Sequence, residues 1–210
     1  MKIADIRVDY QLMTLGENEV AKNAIEQFGT WWQHAINSEI EEVNAMTLAT
    51  VSADGTPDAR IVLLKDYSEK GFVFFTNYDS AKGQELAQNP RACLVFFWKE
   101  LQRQVKIIGR VEKISAQESD AYFHSRPAGS RIGAWSSPQS KKIASRNVLI
   151  QNEKFYIEKF GDKIPRPEHW GGYVVMPELI EFWQGRHNRL HDRLLYTLEN
   201  NSWKIERLAP

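Results

Sequence analysis

MTLATVSADGTPDARIVLLKDY, residues 46–67, decides the fold. Residues 46–53 run β-rich into Asp54-Gly55, a dipeptide suited to a tight hairpin turn, and residues 59–67 run β-rich out of it. The same texture continues outward. Residues 72–77 read as a strand, and Ser80 reads as the N-cap of a short helix that reaches Asn89 before Pro90. Residues 91–99 and 102–115 read as a second hairpin. After a Pro165-Arg166-Pro167 loop come four more strand-like runs, at residues 172–176, 179–184, 192–198 and 203–208. Ahead of the first hairpin, Val20, Ala21, Ala24, Ile25, Phe28, Trp31, Ala35 and Ile36 recur with a period of about 3.6, predicting a helix over residues 18–40. Residues 116–161 read as mostly helical, interrupted at Pro127 and Pro138. Strands close in sequence and joined by tight turns favour an antiparallel barrel over a parallel βαβ sheet. The expected class is mainly β with inserted α-helices. No repeat or linker divides the chain, so residues 1–210 read as one domain, with residues 1–40 as an N-terminal segment and helix.

Composition narrows the function classes. Lys and Arg number 27 against 27 Asp and Glu, a formal charge of zero, which argues against general nucleic-acid binding. The longest apolar run, residues 92–98, is too short to cross a bilayer, so no membrane partner is expected. Met1-Lys2-Ile3-Ala4-Asp5 lacks the apolar stretch of an export signal, and the single Cys93 excludes internal disulfides and Cys-based zinc sites. A cytoplasmic location is expected. The zero hides an asymmetry: residues 1–58 carry 3 basic and 10 acidic side chains, residues 59–210 carry 24 and 17. Residues 121–152 hold no acid but include Arg126, Arg131, Lys141, Lys142 and Arg146. Such a local excess fits a small anion in a site, with a solvated basic face as the competing reading.

Several common motifs are missing. The chain has no Gly-rich dinucleotide fingerprint, no P-loop and no Gly-x-Ser-x-Gly elbow. His187 and His191 have helical metal-ligand spacing, yet Asn188 stands where a metalloprotease needs Glu. On a strand the two rings would sit about 13 Å apart, so no metal is expected.

Four constellations remain. In Arg189-Leu190-His191-Asp192-Arg193, an extended backbone would put Arg189, His191 and Arg193 on one face, where they need an anion or an electron-rich ring. A solvent-facing strand edge is the alternative, but Trp183 and Arg186 just upstream favour a site. In Arg60-Ile61-Val62-Leu63-Leu64-Lys65, the aliphatic run predicts a buried strand whose terminal charges point to opposite faces. One anionic group per face would satisfy both, as would snorkelling to solvent. Thr76 to Lys82 runs from a strand end into a helix start, the geometry of a phosphate cradle and equally of an ordinary N-cap. Tyr122 and Arg126 share a helix face near Ser130, with Gln139-Ser140 adding polar groups. Together they suggest two phosphate-bearing ligands in an aromatic-lined pocket.

These blocks, with Phe74-Phe75-Thr76-Asn77, Arg103-Gln104-Val105, Ile132-Gly133-Ala134-Trp135, Trp170-Gly171-Gly172, Glu181-Phe182-Trp183-Gln184-Gly185 and the terminal Glu206-Arg207-Leu208-Ala209-Pro210, resemble the pyridoxine/pyridoxamine 5′-phosphate oxidase family, in its order. The resemblance implies a split-barrel FMN-binding fold and a homodimer with FMN at the subunit interface. It implies oxidation of a phosphorylated pyridine at C4′, with O2 as acceptor, in the supply of pyridoxal phosphate. By resemblance, Arg60, Lys65, Phe75, Thr76, Lys82, Gln104, Gln139, Ser140, Trp183 and Arg193 contact FMN, with Ile61, Val62, Leu63 and Leu64 completing that strand's contribution. Lys65, Tyr122, Arg126, Ser130, Arg189 and His191 contact the substrate, and the last Arg-His pair carries the catalytic roles. Arg7 and Tyr10 match an Arg-x-x-Tyr that closes over the site in the family. Ala81 departs from the Arg found in many members, which implies one FMN-phosphate donor fewer and a weaker hold on the cofactor. Two alternatives stay open: another split-barrel flavin oxidase, such as a phenazine-pathway enzyme, and a non-catalytic FMN or pyridoxal-phosphate binding module.

Overall fold

Asn23 starts the first helix. Its side chain accepts from the backbone N–H groups of Ile25 and Glu26, so α1 spans Ala24–Asn37, shorter at both ends than the predicted 18–40. The computed structural model describes residue 3 and residues 10–210. Along α1, Ala24, Ile25, Phe28, Trp31 and Ala35 form the buried stripe.

Among the described residues nine strands build one antiparallel sheet: β1 (Ala45–Val51), β2 (Pro57–Leu63), β3 (Asp66–Ser68), β4 (Gly71–Asn77), β5 (Arg91–Trp98), β6 (Arg103–Lys113), β7 (Trp170–Gln184), β8 (Asp192–Glu199) and β9 (Ser202–Arg207). The order is β2-β1-β5-β6-β7-β4-β3, with β8 on the second half of β7 and β9 on β8. The helices α2 (Ala81–Gln88), α3 (Ala116–Ser125), α4 (Ala128–Ser136) and α5 (Arg146–Phe160) lie between strands, as expected for inserted elements. The predicted hairpin at Asp54-Gly55 is present, with Gly55 at φ +86°.

Two strand boundaries differ from the prediction. The run 59–67 breaks at Leu64-Lys65, because the chain changes partner there: β2 pairs with β1, whereas the Lys65 N–H already bonds the Val73 carbonyl and β3 pairs with β4. The runs 172–176 and 179–184 are one strand, because Pro177 sits at a register shift opposite Ile108 and Gly109 and the pairing resumes beyond it. Gly109 is required there, since a Cβ would meet the Met176 carbonyl oxygen at 2.0 Å. β7 thus pairs with β4 through its first half and β8 through its second, while β6 borders it from Tyr173 to Gln184. This exchange of partners curls the sheet into a half-barrel.

The concave side buries Leu48, Leu94, Phe96, Ile107, Phe182 and Leu194 with α1. Phe28 sits at its centre, with Trp32, Tyr67, Phe72, Phe96 and Trp98 all within 6.2 Å between ring centroids. A smaller cluster of Phe123, Ile132, Ile164 and Trp170 seats α3 and α4 at the start of β7. The other side of the sheet is open. There Ile61, Thr47, Val95, Lys106, Glu181 and Leu195 are successive cross-strand neighbours, as are Phe97, Gln104, Trp183 and Arg193. The buried strand expected over residues 60–65 is therefore corrected: β2 is an edge strand with Ile61 65 % and Leu63 36 % exposed, Val62 packs against the core only in part, and Leu64 beyond the strand is buried in it. Phe97, 55 % exposed, extends the same apolar surface.

Candidate active site

A cavity of about 490 Å³ lies where β2, β4, α2, α3 and α4 meet. It gathers Ile61, Val62, Leu63, Lys65, Phe75, Thr76, Lys82, Tyr122, Arg126, Ser130 and Gln139 of the predicted residues, and none of its described lining residues is acidic. Trp170 also lines it and was not among the predicted contacts, although its Trp-Gly-Gly motif was noted.

One end is built on the start of α2. Ser80 caps that helix by accepting from the Gly83 N–H, and Gly83 lets the helix begin tightly, since a Cβ would meet the Tyr78 carbonyl oxygen at 2.1 Å. Lys82, only 9 % exposed, donates to Gln139 Oε1 at 3.2 Å, and the Thr76 hydroxyl donates to the same oxygen at 3.1 Å. Burial, and then the charge of Arg60, pulls the Lys82 pKa below its ordinary value. Two donors converging on one neutral oxygen at a helix N-terminus fit a phosphate.

The other end is aromatic and cationic. Phe75 stacks on Tyr122 at 3.9 Å and on Trp170 at 5.4 Å. The Arg126 guanidinium lies 4.5 Å from the Trp170 ring centroid and 5.7 Å from that of Phe123. Burial lowers the Arg126 pKa, and its NH1 is buried with no hydrogen-bond partner among the described residues. A buried donor left unmade costs about 1–3 kcal/mol, so this nitrogen calls for an acceptor from a ligand. With Lys65, Tyr122 and Ser130 in the same wall, a second phosphate fits here.

Arg60 is outside this lining. Its NH1 donates to the Leu48 carbonyl and to Thr50 Oγ1, and its NH2 bonds Asp58 and, at 3.0 Å, Glu85. The anion expected opposite Arg60 is thus supplied within the chain by two carboxylates. Ser140 is exposed, at φ +66°, and Leu64 belongs to the core.

A second group forms at the far end of β7. Gln104, Trp183 and Arg193 are cross-strand neighbours, and Trp183 packs on His191 at 4.6 Å, with Tyr10 edge-on to Trp183 at 5.9 Å. Arg193 Nε donates to Glu181 at 2.7 Å and its NH1 to the Ala209 carbonyl at 2.8 Å. The extended reading of residues 189–193 is corrected. His187–Arg189 form a 3₁₀ turn in which Asn188 and Arg189 are left-handed, at φ 55° and 62°, and β8 begins only at Asp192. Arg189 therefore leaves the line of His191 and Arg193 and is exposed. The turn closes through the Arg186 N–H, which donates to His191 Nδ1 at 3.1 Å. The neutral His191 ring consequently carries its proton on Nε2. Burial, and then the Arg189 charge, holds its pKa below the ordinary 6.5. Arg7 lies outside the described residues.

The comparisons with known proteins cover both groups. A family profile described as "Pyridoxamine 5′-phosphate oxidase" matches residues 32–152, and one described as "Pyridoxine 5′-phosphate oxidase C-terminal dimerisation region" matches residues 170–210. A curated "Pyridoxine/pyridoxamine 5′-phosphate oxidase" of Trichormus variabilis is 60 % identical over 210 residues, covering 99 % of this chain and 98 % of that one. A protein of the same description from Cupriavidus pinatubonensis is 56 % identical, covering 100 % and 99 %. Among solved structures, PhzG from Burkholderia lata in complex with tetrahydrophenazine-1-carboxylic acid is similar at a TM-score of 0.90 and 27 % identity, over 97 % of this chain and 100 % of that one. A related FMN-binding protein from Nostoc punctiforme, 18 % identical at a TM-score of 0.72, shares the split-barrel fold. By sequence over its whole length, and by the fold that carries its site, the chain belongs to the pyridoxine/pyridoxamine 5′-phosphate oxidase family.

Proposed function

We propose that the protein oxidises pyridoxamine 5′-phosphate and pyridoxine 5′-phosphate to pyridoxal 5′-phosphate, as an FMN-dependent, cytoplasmic homodimer that uses O2. The observation that carries this reading is Arg126, whose buried NH1 awaits an acceptor in a wall that also holds Lys65, Tyr122 and Ser130. Bound FMN would supply the two-electron redox chemistry at substrate C4′, with O2 as final acceptor reduced to hydrogen peroxide; for the amine substrate, one water is consumed and ammonia released as the aldehyde forms.

The residues divide the remaining work. Thr76, Lys82 and Gln139 hold the cofactor phosphate, exchanging their mutual hydrogen bonds for phosphate oxygens. Lys65, Tyr122, Arg126 and Ser130 grip the substrate phosphate, remote from the reacting carbon, and so supply orientation. Gln104 and Arg193 donate to the flavin ring, where a cation favours the reduced, anionic form. His191 donates from Nε2 to the substrate's polar substituent, Arg189 covers the substrate ring, and Tyr10 closes over both. Gln104, Trp183 and Arg193 lie on the open sheet face, which also carries the exposed Ile61 and Phe97. A second copy covering this face brings the two groups of residues together, with FMN between the subunits. That arrangement gives the apolar edge a partner and agrees with the dimerisation region matched at residues 170–210. No helix of the described residues is long and apolar enough to cross a membrane. The phosphate grip also favours a phosphorylated pyridine over an unphosphorylated tricyclic ring.

Arg189→Met should cut kcat about tenfold while the protein stays yellow. It should also move the acid limb of the pH profile of kcat/KM. His191 is held below 6.5, so the limb lies below 6.5 in the parent. Removing the Arg189 charge relieves part of that depression and shifts the limb upward. An unchanged kcat would take Arg189 out of the mechanism. The assignment as a whole is tested by adding pyridoxamine 5′-phosphate to the FMN-loaded protein without oxygen. The visible flavin band should bleach and return on admission of air; a band that persists in the presence of substrate refutes the reading.

A further inference from the structure

Asp192 stands at the base of the turn that carries Arg189 and His191, and its carboxylate reaches three elements. Oδ1 accepts from Arg207 NH1 of β9 at 2.7 Å. Oδ2 accepts from Arg186 NH1 at 3.3 Å and from the Leu15 backbone N–H at 3.2 Å. Arg207 in turn grips both oxygens of Glu17 at 2.7 Å and donates to the Leu15 carbonyl at 2.9 Å. The Arg186 guanidinium also donates to the Met13 carbonyl at 3.4 Å. Residues 13–17 are therefore strapped to the turn and to β9 through one carboxylate and two arginines.

The Arg186–Asp192 pair brackets the segment that contains His191. Arg186 is the residue whose backbone N–H donates to His191 Nδ1, so whatever fixes Arg186 fixes the tautomer and tilt of the ring. The bracketed turn needs fixing. Asn188 and Arg189 are consecutive non-glycine residues in the left-handed region, a conformation that the surroundings must impose. Asp192 is well placed to impose it: its side chain is 20 % exposed, and it closes a ring of contacts from Arg186 back to its own strand. The same carboxylate holds Leu15, five residues beyond Tyr10, whose ring packs at 6.1 Å from that of His191.

We infer that Asp192 is a positioning residue of the oxidation, holding Arg186 so that His191 presents Nε2 to the substrate, and holding the strap so that Tyr10 lies against the same ring. This inference rests on the function proposed above. Asp192 touches neither substrate nor cofactor in this scheme; it acts through Arg186 and Leu15. A neutral amide cannot replace it. Asn keeps the shape but offers a single acceptor oxygen, so either Arg207 or the Arg186–Leu15 pair meets an N–H donor instead.

The test uses the FMN-loaded full chain, beginning with anaerobic bleaching of the parent by pyridoxamine 5′-phosphate. A parent that does not bleach overturns the proposed function and this inference with it. With a bleaching parent, Asp192→Asn should raise the KM for pyridoxamine 5′-phosphate about tenfold and lower kcat less than about threefold, leaving the FMN Kd within about twofold. Arg186→Leu should reproduce that pattern and Arg186→Lys should largely restore the parent KM. The double variant Asp192→Asn/Arg186→Leu should be no worse than Asp192→Asn alone, because the Arg186–Asp192 tie is already lost in it. A purely structural role predicts a lower Tm with KM unchanged, and that result overturns the inference. So do single effects that multiply in the double variant. If Asp192→Asn loses its FMN or its fold, the two Arg186 variants decide, since that half-exposed side chain sits at the surface of the turn.

Discussion

Arg126→Ala should raise the KM for pyridoxamine 5′-phosphate about a hundredfold while kcat falls only a few-fold. The guanidinium is the most committed group in the cavity: it lies against Trp170, and its NH1 is buried with no acceptor among the described residues. A hydrogen bond to a charged group is worth about 1.5–3 kcal/mol, and about 2.8 kcal/mol corresponds to a hundredfold in affinity. Because the phosphate is far from C4′, the lost contact falls on binding more than on the chemical step. Steady-state kinetics of the FMN-loaded variant check this, and an unchanged KM refutes the phosphate grip. The same burial has a second consequence. Burial lowers the Arg126 pKa, so its charge opposes folding until a ligand answers it. Arg126→Met, which keeps the packing on Trp170, should leave the ligand-free protein at least as stable as the parent.

Phe28→Ala should cost about 3–5 kcal/mol of stability, the range for deleting a large buried aromatic side chain. Phe28 is fully buried and touches rings from α1 itself, from β3, β4 and β5, so no single neighbour can collapse into the space. For a chain of this size the loss should appear as a Tm lower by about 10 °C. Thermal melts of parent and variant decide the point. A Tm within a degree or two would mean that the helix is not what closes the concave side.

Local chemistry made much of this molecule readable in advance. Asp54-Gly55 specified its hairpin, Ser80 its cap, and the four-residue spacing of Tyr122 and Arg126 placed both in one wall. What escaped depends on partners distant in sequence. The strand break at Leu64-Lys65 exists because β4 replaces β1 as neighbour, and nothing within residues 59–67 announces that exchange. Pro177 suggested a boundary, yet β7 absorbs one extra residue, Glu178, as a bulge beside it and the strand continues. The aliphatic run after Arg60 signalled burial that a single chain does not provide at an edge strand. Around His191 the period-two argument failed because Asn188 and Arg189 turn left-handed without a glycine to mark the place. Trp170 was visible as a motif, but its position under Arg126 follows only from the packing of α3 on β7.

The partner exchange along β7 also bears on how the chain is made. β4 pairs with residues that follow it by about one hundred positions, Phe72 opposite Val175, and β6 borders β7 from Tyr173 to Gln184. During synthesis, four-fifths of the polypeptide emerges before the strand that joins its two halves exists. Until then β4 and β6 present unpaired edges, with β-branched and aromatic side chains beside them. The newborn chain therefore passes through a long interval of exposed strand edges that ends only when residues 170–184 arrive to pair with both.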